Sequence, residues 1–168
     1  MEAAGLTCLP IRFFPRGTLL GMLLDAYADV PAVIASDRTD WDAFDSFFHD
    51  FPEIADRCGF VTVAGGTPVG FASWDPRELP DRVRIGHNCI IRTYKGQGFG
   101  RRQMEIAVHR ILESHPAEIV VSTGASPFYL PARRMYLAAG FCETRRFTRD
   151  HPDADMVEYT LVPGGITP

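Results

Sequence analysis

Tyr94-Lys95-Gly96-Gln97-Gly98-Phe99-Gly100-Arg101-Arg102 joins an apolar run, Cys89-Ile90-Ile91, to an amphipathic helical pattern that begins near Phe99. Glycine at every second position leaves backbone N–H groups uncovered by side chains just where a helix starts. Such a loop can wrap a phosphate, and the helix N-terminus adds its partial positive charge. Arg101 and Arg102 in the first turn can supply more. The stretch reads as a pyrophosphate cradle.

Spacing separates it from two better-known cradles. A Walker loop needs Lys-Ser or Lys-Thr after its last glycine, and none follows Gly100. A dinucleotide fingerprint needs Gly-x-Gly-x-x-Gly near a first strand, with an acid about twenty residues on. Here the glycines alternate past the middle of the chain and no such acid follows. The string resembles the Arg/Gln-x-x-Gly-x-Gly/Ala loop of the GNAT superfamily of N-acetyltransferases. Lys95, Gly98 and Gly100 stand at the motif positions, with Lys95 where Arg or Gln is usual. A glycine-rich turn without a ligand is the plain alternative.

Ala132-Arg-Arg-Met135-Tyr136-Leu-Ala-Ala139-Gly140-Phe141 resembles the late Ala-x-x-x-Tyr-x-x-x-Gly-Phe signature of the same superfamily, about forty residues after the loop. Physically, Ala132, Met135, Tyr136 and Ala139 share one face of a short helix. Pro131 suits its first position, and Gly140 a left-handed C-cap. Tyr129 replaces the Asn that often precedes this tyrosine by seven residues. The resemblance spans roughly Phe60 to Leu161 and implies acetyl transfer from acetyl-CoA.

The bulk composition fits a single domain over residues 1–168, since 46% hydrophobic residues can fill a sizeable core. Seventeen basic and twenty-one acidic side chains give a net charge of −4 without a basic block, which argues against nucleic acid or a membrane surface as partner. The apolar pattern from Leu19 to Tyr27 is broken by Asp25 and is neither a signal peptide nor a span. Four scattered cysteines without Cys-x-x-Cys point to reduced thiols in the cytoplasm. No metal is expected: His151-Pro-Asp-Ala-Asp155 reads as a polar hairpin turn.

Periodicity predicts a strand over Leu9 to Phe14, then a helix through Leu20, Leu23, Leu24 and Tyr27 that Pro31 ends. A second helix starts near Asp40 with Trp41, Phe44, Phe48 and Phe51 on one stripe. Strands over 60–64 and 67–74 flank the hairpin signal Gly65-Gly66. Val83 to Ile91 is a strand leading into the cradle. The clearest helix carries Met104, Ala107, Val108, Ile111 and Leu112. Strands follow over 119–123, 142–149 and 156–161, with the Tyr136 helix between the first two. The order β-α-α-β-β-β-α-β-α-β-β is an α+β fold around one mixed, mostly antiparallel sheet, and it is the GNAT order.

The resemblance also implies roles. Residues 95–101 (Lys95, Gly96, Gln97, Gly98, Phe99, Gly100, Arg101) hold the pyrophosphate. The strand from Asn88 to Arg92, with Ile90 and Ile91, offers backbone partners to the pantetheine and splays from the strand over 119–123. Tyr136 stands where many relatives keep a general acid, and a phenol of pKa ~10 is protonated at neutral pH. From pattern alone a core tyrosine is the favoured reading, and the surrounding motif reverses it. His87 is the candidate base, at pKa ~6.5, with a water relay or no protein base as alternatives. Cys89 reads as an apolar filler. The acceptor is expected to be a small-molecule amine, with a protein or peptide lysine or N-terminus, or a non-catalytic acyl-CoA-binding sensor, as the alternatives. The acids from Asp37 to Asp56 either attract such an amine or form a solvated helix face, and Trp41, Phe44, Phe47 and Phe51 could line an apolar pocket. A homodimer is expected if the last strand leaves an open sheet edge.

Overall fold

The computed structural model describes residues 5–165. Gly65 and Gly66 form the tight turn between β2 (Gly59–Ala64) and β3 (Thr67–Asp75), both in the left-handed region at φ +55 and +82. Around this hairpin stand β1 (Leu6–Leu9), β4 (Arg82–Ile90), β5 (Glu118–Gly124), β6 (Cys142–Thr148) and β7 (Asp155–Leu161). One seven-stranded sheet results, in the order β1-β2-β3-β4-β5-β7-β6. Among the described residues only the β4–β5 contact is parallel. The helices are α1 (Thr18–Ala26), α2 (Pro31–Asp50), α3 (Pro52–Cys58), α4 (Phe99–Leu112) and α5 (Leu130–Ala138).

Strand alternation decides which helix covers which face. Phe71 on β3 stacks on Phe44 of α2, with ring centroids 5.9 Å apart. Its neighbour Gly70 faces α4, where a Cβ would come within 3.0 Å of Gln103 Oε1. Helices therefore bury both faces of the sheet. Gln103 is 2% exposed and spans it: Thr62 Oγ1 donates to its Oε1 at 2.6 Å, and its Nε2 donates to the Phe71 and Cys89 carbonyls. This fixes the start of α4 against β2, β3 and β4.

Two irregularities make room for a site. The ladder between β4 and β5 holds only from Arg82 to Arg84 and from Glu118 to Val120. Beyond it β4 stays with β3 and β5 with β7, so the sheet opens like a V. The second is a bulge in β4. Ala72 faces Asn88 but Trp74 faces Ile85, so Gly86 and His87 together oppose Ser73. Ser73 Oγ donates to the His87 carbonyl at 2.7 Å.

Several expectations need correction. The first strand ends at Leu9, because Pro10 has no N–H for the ladder; Ile11–Phe13 is a 3-10 turn that drops Ile11 into the core. Pro31 does not end a helix. It opens α2, where its missing N–H costs nothing, nine residues before Asp40. Pro52 opens α3 in the same way, a helix the periodicity did not reveal. The last strand, β7, lies inside the sheet between β5 and β6. The motive for a homodimer is thereby lost; the edge strand β6 instead carries Glu143, Arg145 and Arg146, charges that discourage pairing.

Candidate functional site

None of the backbone N–H groups from Gly96 to Arg101 donates a hydrogen bond among the described residues. Gly96 and Gly98 lie at φ +74 and +82, and Gly98 is the N-cap of α4. The first N–H groups of a helix have no partner within it. The cradle is thus a row of free donors at a positive helix end, the donor set a pyrophosphate needs.

The approach to the cradle is held by α1. Asp25 Oδ2 accepts the Arg92 N–H at 2.7 Å, and Asp29 Oδ1 pairs with the Arg92 guanidinium at 2.9 Å. Lys95 Nζ donates to the Ala26 carbonyl at 2.6 Å and lies 5.2 Å from the centre of the Phe128 ring. Burial draws the lysine pKa downward against the pull of Asp29 and Asp25. Arg101 is paired with Glu105 at 2.8 Å, which leaves the phosphate path chiefly to backbone donors.

A cavity of about 480 Å³ opens behind the cradle, inside the V. Ile90, Lys95, Gly96, Gly98, Gly100 and Arg101 line it, with Tyr27, Asn88 and Phe128. Three of the other expected residues stand back from it. Ile91 donates its N–H to the Val69 carbonyl, Gln97 folds back onto the Thr93 carbonyl, and Phe99 packs edge-on against Tyr94. Gln97 and Phe99 still contribute free backbone donors.

A second cavity of about 200 Å³ adjoins the first, and Tyr27, Asn88, Tyr129 and Ala132 line both. His87 and Tyr136 line only the second. Tyr136 is 3% exposed, with its hydroxyl 3.3 Å from Asn88 Nδ2, which donates to it. Burial pushes the phenol pKa up, opposed by the Asn88 hydrogen bond. The bulge takes His87 off the buried row of Val83 and Ile85 and turns it into the concavity, edge-on to Phe44 at 4.9 Å. The ring is open to the cavity, yet the surrounding protein thins the water about it and lowers its pKa; Asp37 and Asp40 oppose this. Burial pushes the Cys89 thiol far up, so it stays protonated and unreactive.

The wall opposite β4 comes from residues that patterning left unassigned. Gly124 makes room for the Tyr129 ring, which a Cβ would meet at 2.3 Å. The Tyr129 hydroxyl donates to Asp153 Oδ2 at 2.5 Å. In the β6–β7 turn, His151 Nδ1 faces the Asp153 N–H at 3.0 Å and Arg149 Nη2 at 3.2 Å, both donors. The proton therefore sits on Nε2, which donates to Asp37 Oδ1 at 2.5 Å. Of the aromatics, Trp41 lines the cavity, whereas Phe47 and Phe51 are exposed and touch each other. Among the described residues no group of three or more His, Cys, Asp or Glu side chains could hold a metal, and no helix is long and apolar enough to cross a membrane.

Solved structures share this architecture. YncA of Salmonella typhimurium, determined with its cofactor acetyl-CoA, superposes with a TM-score of 0.72 at 14% identity, over 96% of this chain and 94% of its own. An acetyltransferase (GNAT family) from Bacillus anthracis gives 0.70 at 16%, over 96% and 97%. The ribosomal-protein-S18-alanine N-acetyltransferase of Escherichia coli gives 0.59 at 19%, over 73% and 79%. At these identities the likeness speaks for the fold. No curated protein matches at the sequence level. The acetyltransferase (GNAT) family, however, matches residues 22–141, a stretch that holds the cradle, the bulge, the V and the Tyr136 helix, and the chain belongs to that family.

Proposed function

We propose that this acetyltransferase moves the acetyl group of acetyl-CoA onto the primary amine of a small molecule by direct attack. The observation that carries the reading is the meeting of the two cavities at Asn88. The cavity behind the cradle shares Tyr27, Asn88, Tyr129 and Ala132 in its lining with a small polar pocket that also holds Tyr136 and His87.

The cradle residues 95–101 would receive the pyrophosphate, and the free edge of β4 near Ile90 the pantetheine amides. When bound, acetyl-CoA supplies an activated acyl group as a thioester. In the transfer the amine N–C bond forms and the C–S bond breaks. His87, neutral at pH 7, takes the proton the amine must lose. Tyr136 Oη holds a proton at neutral pH and delivers it to the departing sulfur. The pocket, at about 200 Å³, falls below the ~300–1,000 Å³ of drug-sized ligand sites, which favours a small acceptor. Four unpaired cysteines suit a reducing compartment such as the cytoplasm.

The test is thiol release from acetyl-CoA over a panel of amines, amino acids, aminoglycosides and peptides, with products identified by mass spectrometry. N-acetylated small amines are the expected outcome. Tight acetyl-CoA binding without turnover of any amine would instead mark a sensor, and products confined to peptides would mark a protein acetyltransferase.

A further inference from the structure

The small pocket contains one guanidinium and one carboxylate. Arg149 and Asp37 both line it, together with His87, Asn88 and Tyr136. Their bonding leaves the two charges unequal in reach. Asp37 accepts the Nε2 proton of His151, a contact that ties α2 to the β6–β7 turn. Arg149 meets no carboxylate oxygen within salt-bridge distance among the described residues. Its contacts are neutral acceptors, the Asp153 carbonyl at 3.4 Å and His151 Nδ1 at 3.2 Å. Those contacts orient the guanidinium without neutralising it. By contrast, Arg145 and Arg146 on β6 are each paired with a glutamate.

Resting on the acetyltransferase reading above, we propose that the acceptor is an amine bearing its own carboxylate, of the α-amino-acid type, and that Arg149 receives that carboxylate. A planar guanidinium matches a carboxylate through paired N–H donors. Asp37 and Asp40, both close enough to act on His87, attract the ammonium end toward the base. A pocket with one charge of each sign complements a zwitterion, and neither a plain alkylamine nor a polyamine satisfies both. The aromatic wall of Tyr27, Trp41 and Tyr129 is left for the acceptor side chain. A protein N-terminus presents an amide where an amino acid presents its carboxylate, so it would leave Arg149 unpaired.

The experiment compares kcat/KM for leucine, leucinamide and 3-methylbutylamine, and for phenylalanine, phenylalaninamide and phenethylamine, at saturating acetyl-CoA. These triplets differ only in the group beside the amine. The wild type should prefer the free acid to its amide by about tenfold, the size of one good charge-assisted contact at an exposed guanidinium. Arg149→Gln should collapse that ratio toward one through KM, and Arg149→Lys should restore part of it. A merely structural role for Arg149 would lower all three substrates together and keep the ratio. Equal use of acid and amide by the wild type, or a ratio unchanged in Arg149→Gln, overturns the proposal and leaves the acetyltransferase reading standing. Preference for leucinamide overturns it in favour of peptide N-termini. No turnover of any amine, with acetyl-CoA still bound, overturns both.

Discussion

Asn88 Nδ2 donates to Tyr136 Oη at 3.3 Å, across 48 residues of sequence and at the seam of the two cavities. Because the phenol accepts there, its own proton has no protein acceptor among the described residues and is free for the pocket. Tyr136→Phe keeps the ring and the helix packing but removes that proton. Turnover should fall by about 10²-fold while acetyl-CoA affinity, measured by calorimetry, stays within about twofold. Wild-type turnover in this variant would make Tyr136 a packing residue. Asn88→Ala gives a second reading of the same contact. Its hydrogen bond lowers the phenol pKa, so its loss should move the alkaline limb of the rate profile to higher pH.

His87 sets the other limb. Its charged form is disfavoured by burial, so the folded pKa lies below the ordinary 6.5. A base must be neutral to accept a proton, so kcat/KM should rise through a pH below 6.5 and be flat at neutrality. His87→Gln should lower kcat/KM by about 10²-fold and erase that rise. An acid limb that survives in the variant belongs to another group, or to a water relay.

Gly98, Gly100 and the Tyr136 helix were legible in sequence because local physics fixes them: alternating glycines need no partner to declare a free backbone. Tertiary effects were not. Pro31 ends one helix or opens the next with equal local logic, and only the packing of α2 decides. Strict alternation along β4 puts His87 on one apolar face with Val83, Ile85 and Cys89, because it hides the extra residue that the bulge inserts beside Ser73. Arg149 and Asp37 stand 112 positions apart in the numbering and carry no signal until the β6–β7 turn folds onto α2.

The cradle can be tested with little damage to the fold at Gly100. It lies in the first turn of α4 with an ordinary helical backbone, and a Cβ would meet Met135 Sδ at 3.3 Å and Ile90 Cγ1 at 3.5 Å. Gly100→Val should therefore narrow the channel, cost about 1–3 kcal/mol of stability by overpacking, and reduce acetyl-CoA affinity at least tenfold. Gly98→Val adds a left-handed conformation, worth a further ~1–2 kcal/mol, and should lose both stability and binding. Unchanged affinity in both variants would remove the cradle from its assigned role.

Asp45 offers the sharpest test of how the fold supports the site. Among the acids from Asp37 to Asp56 it would pass for a solvated helix residue, yet it is 1% exposed. Helix α1 begins after Gly17, which has no side chain to cap it. Asp45 caps it from α2: Oδ2 accepts the Gly17 N–H at 2.7 Å, and Oδ1 the Leu19 and Leu20 N–H groups at 2.9 and 3.3 Å. Three donors that a helix start leaves unpaired are thereby satisfied by one buried carboxylate. Asp45→Asn removes the charge and turns an amide N–H₂ against one of them, so it should cost about 3 kcal/mol of unfolding free energy in urea. The far end of α1 grips Arg92 and Lys95 through Asp25 and Ala26, so acetyl-CoA affinity should fall along with stability. Loss of stability with full affinity would uncouple α1 from the cradle, and an unchanged urea midpoint would dismiss Asp45 as the cap of that helix.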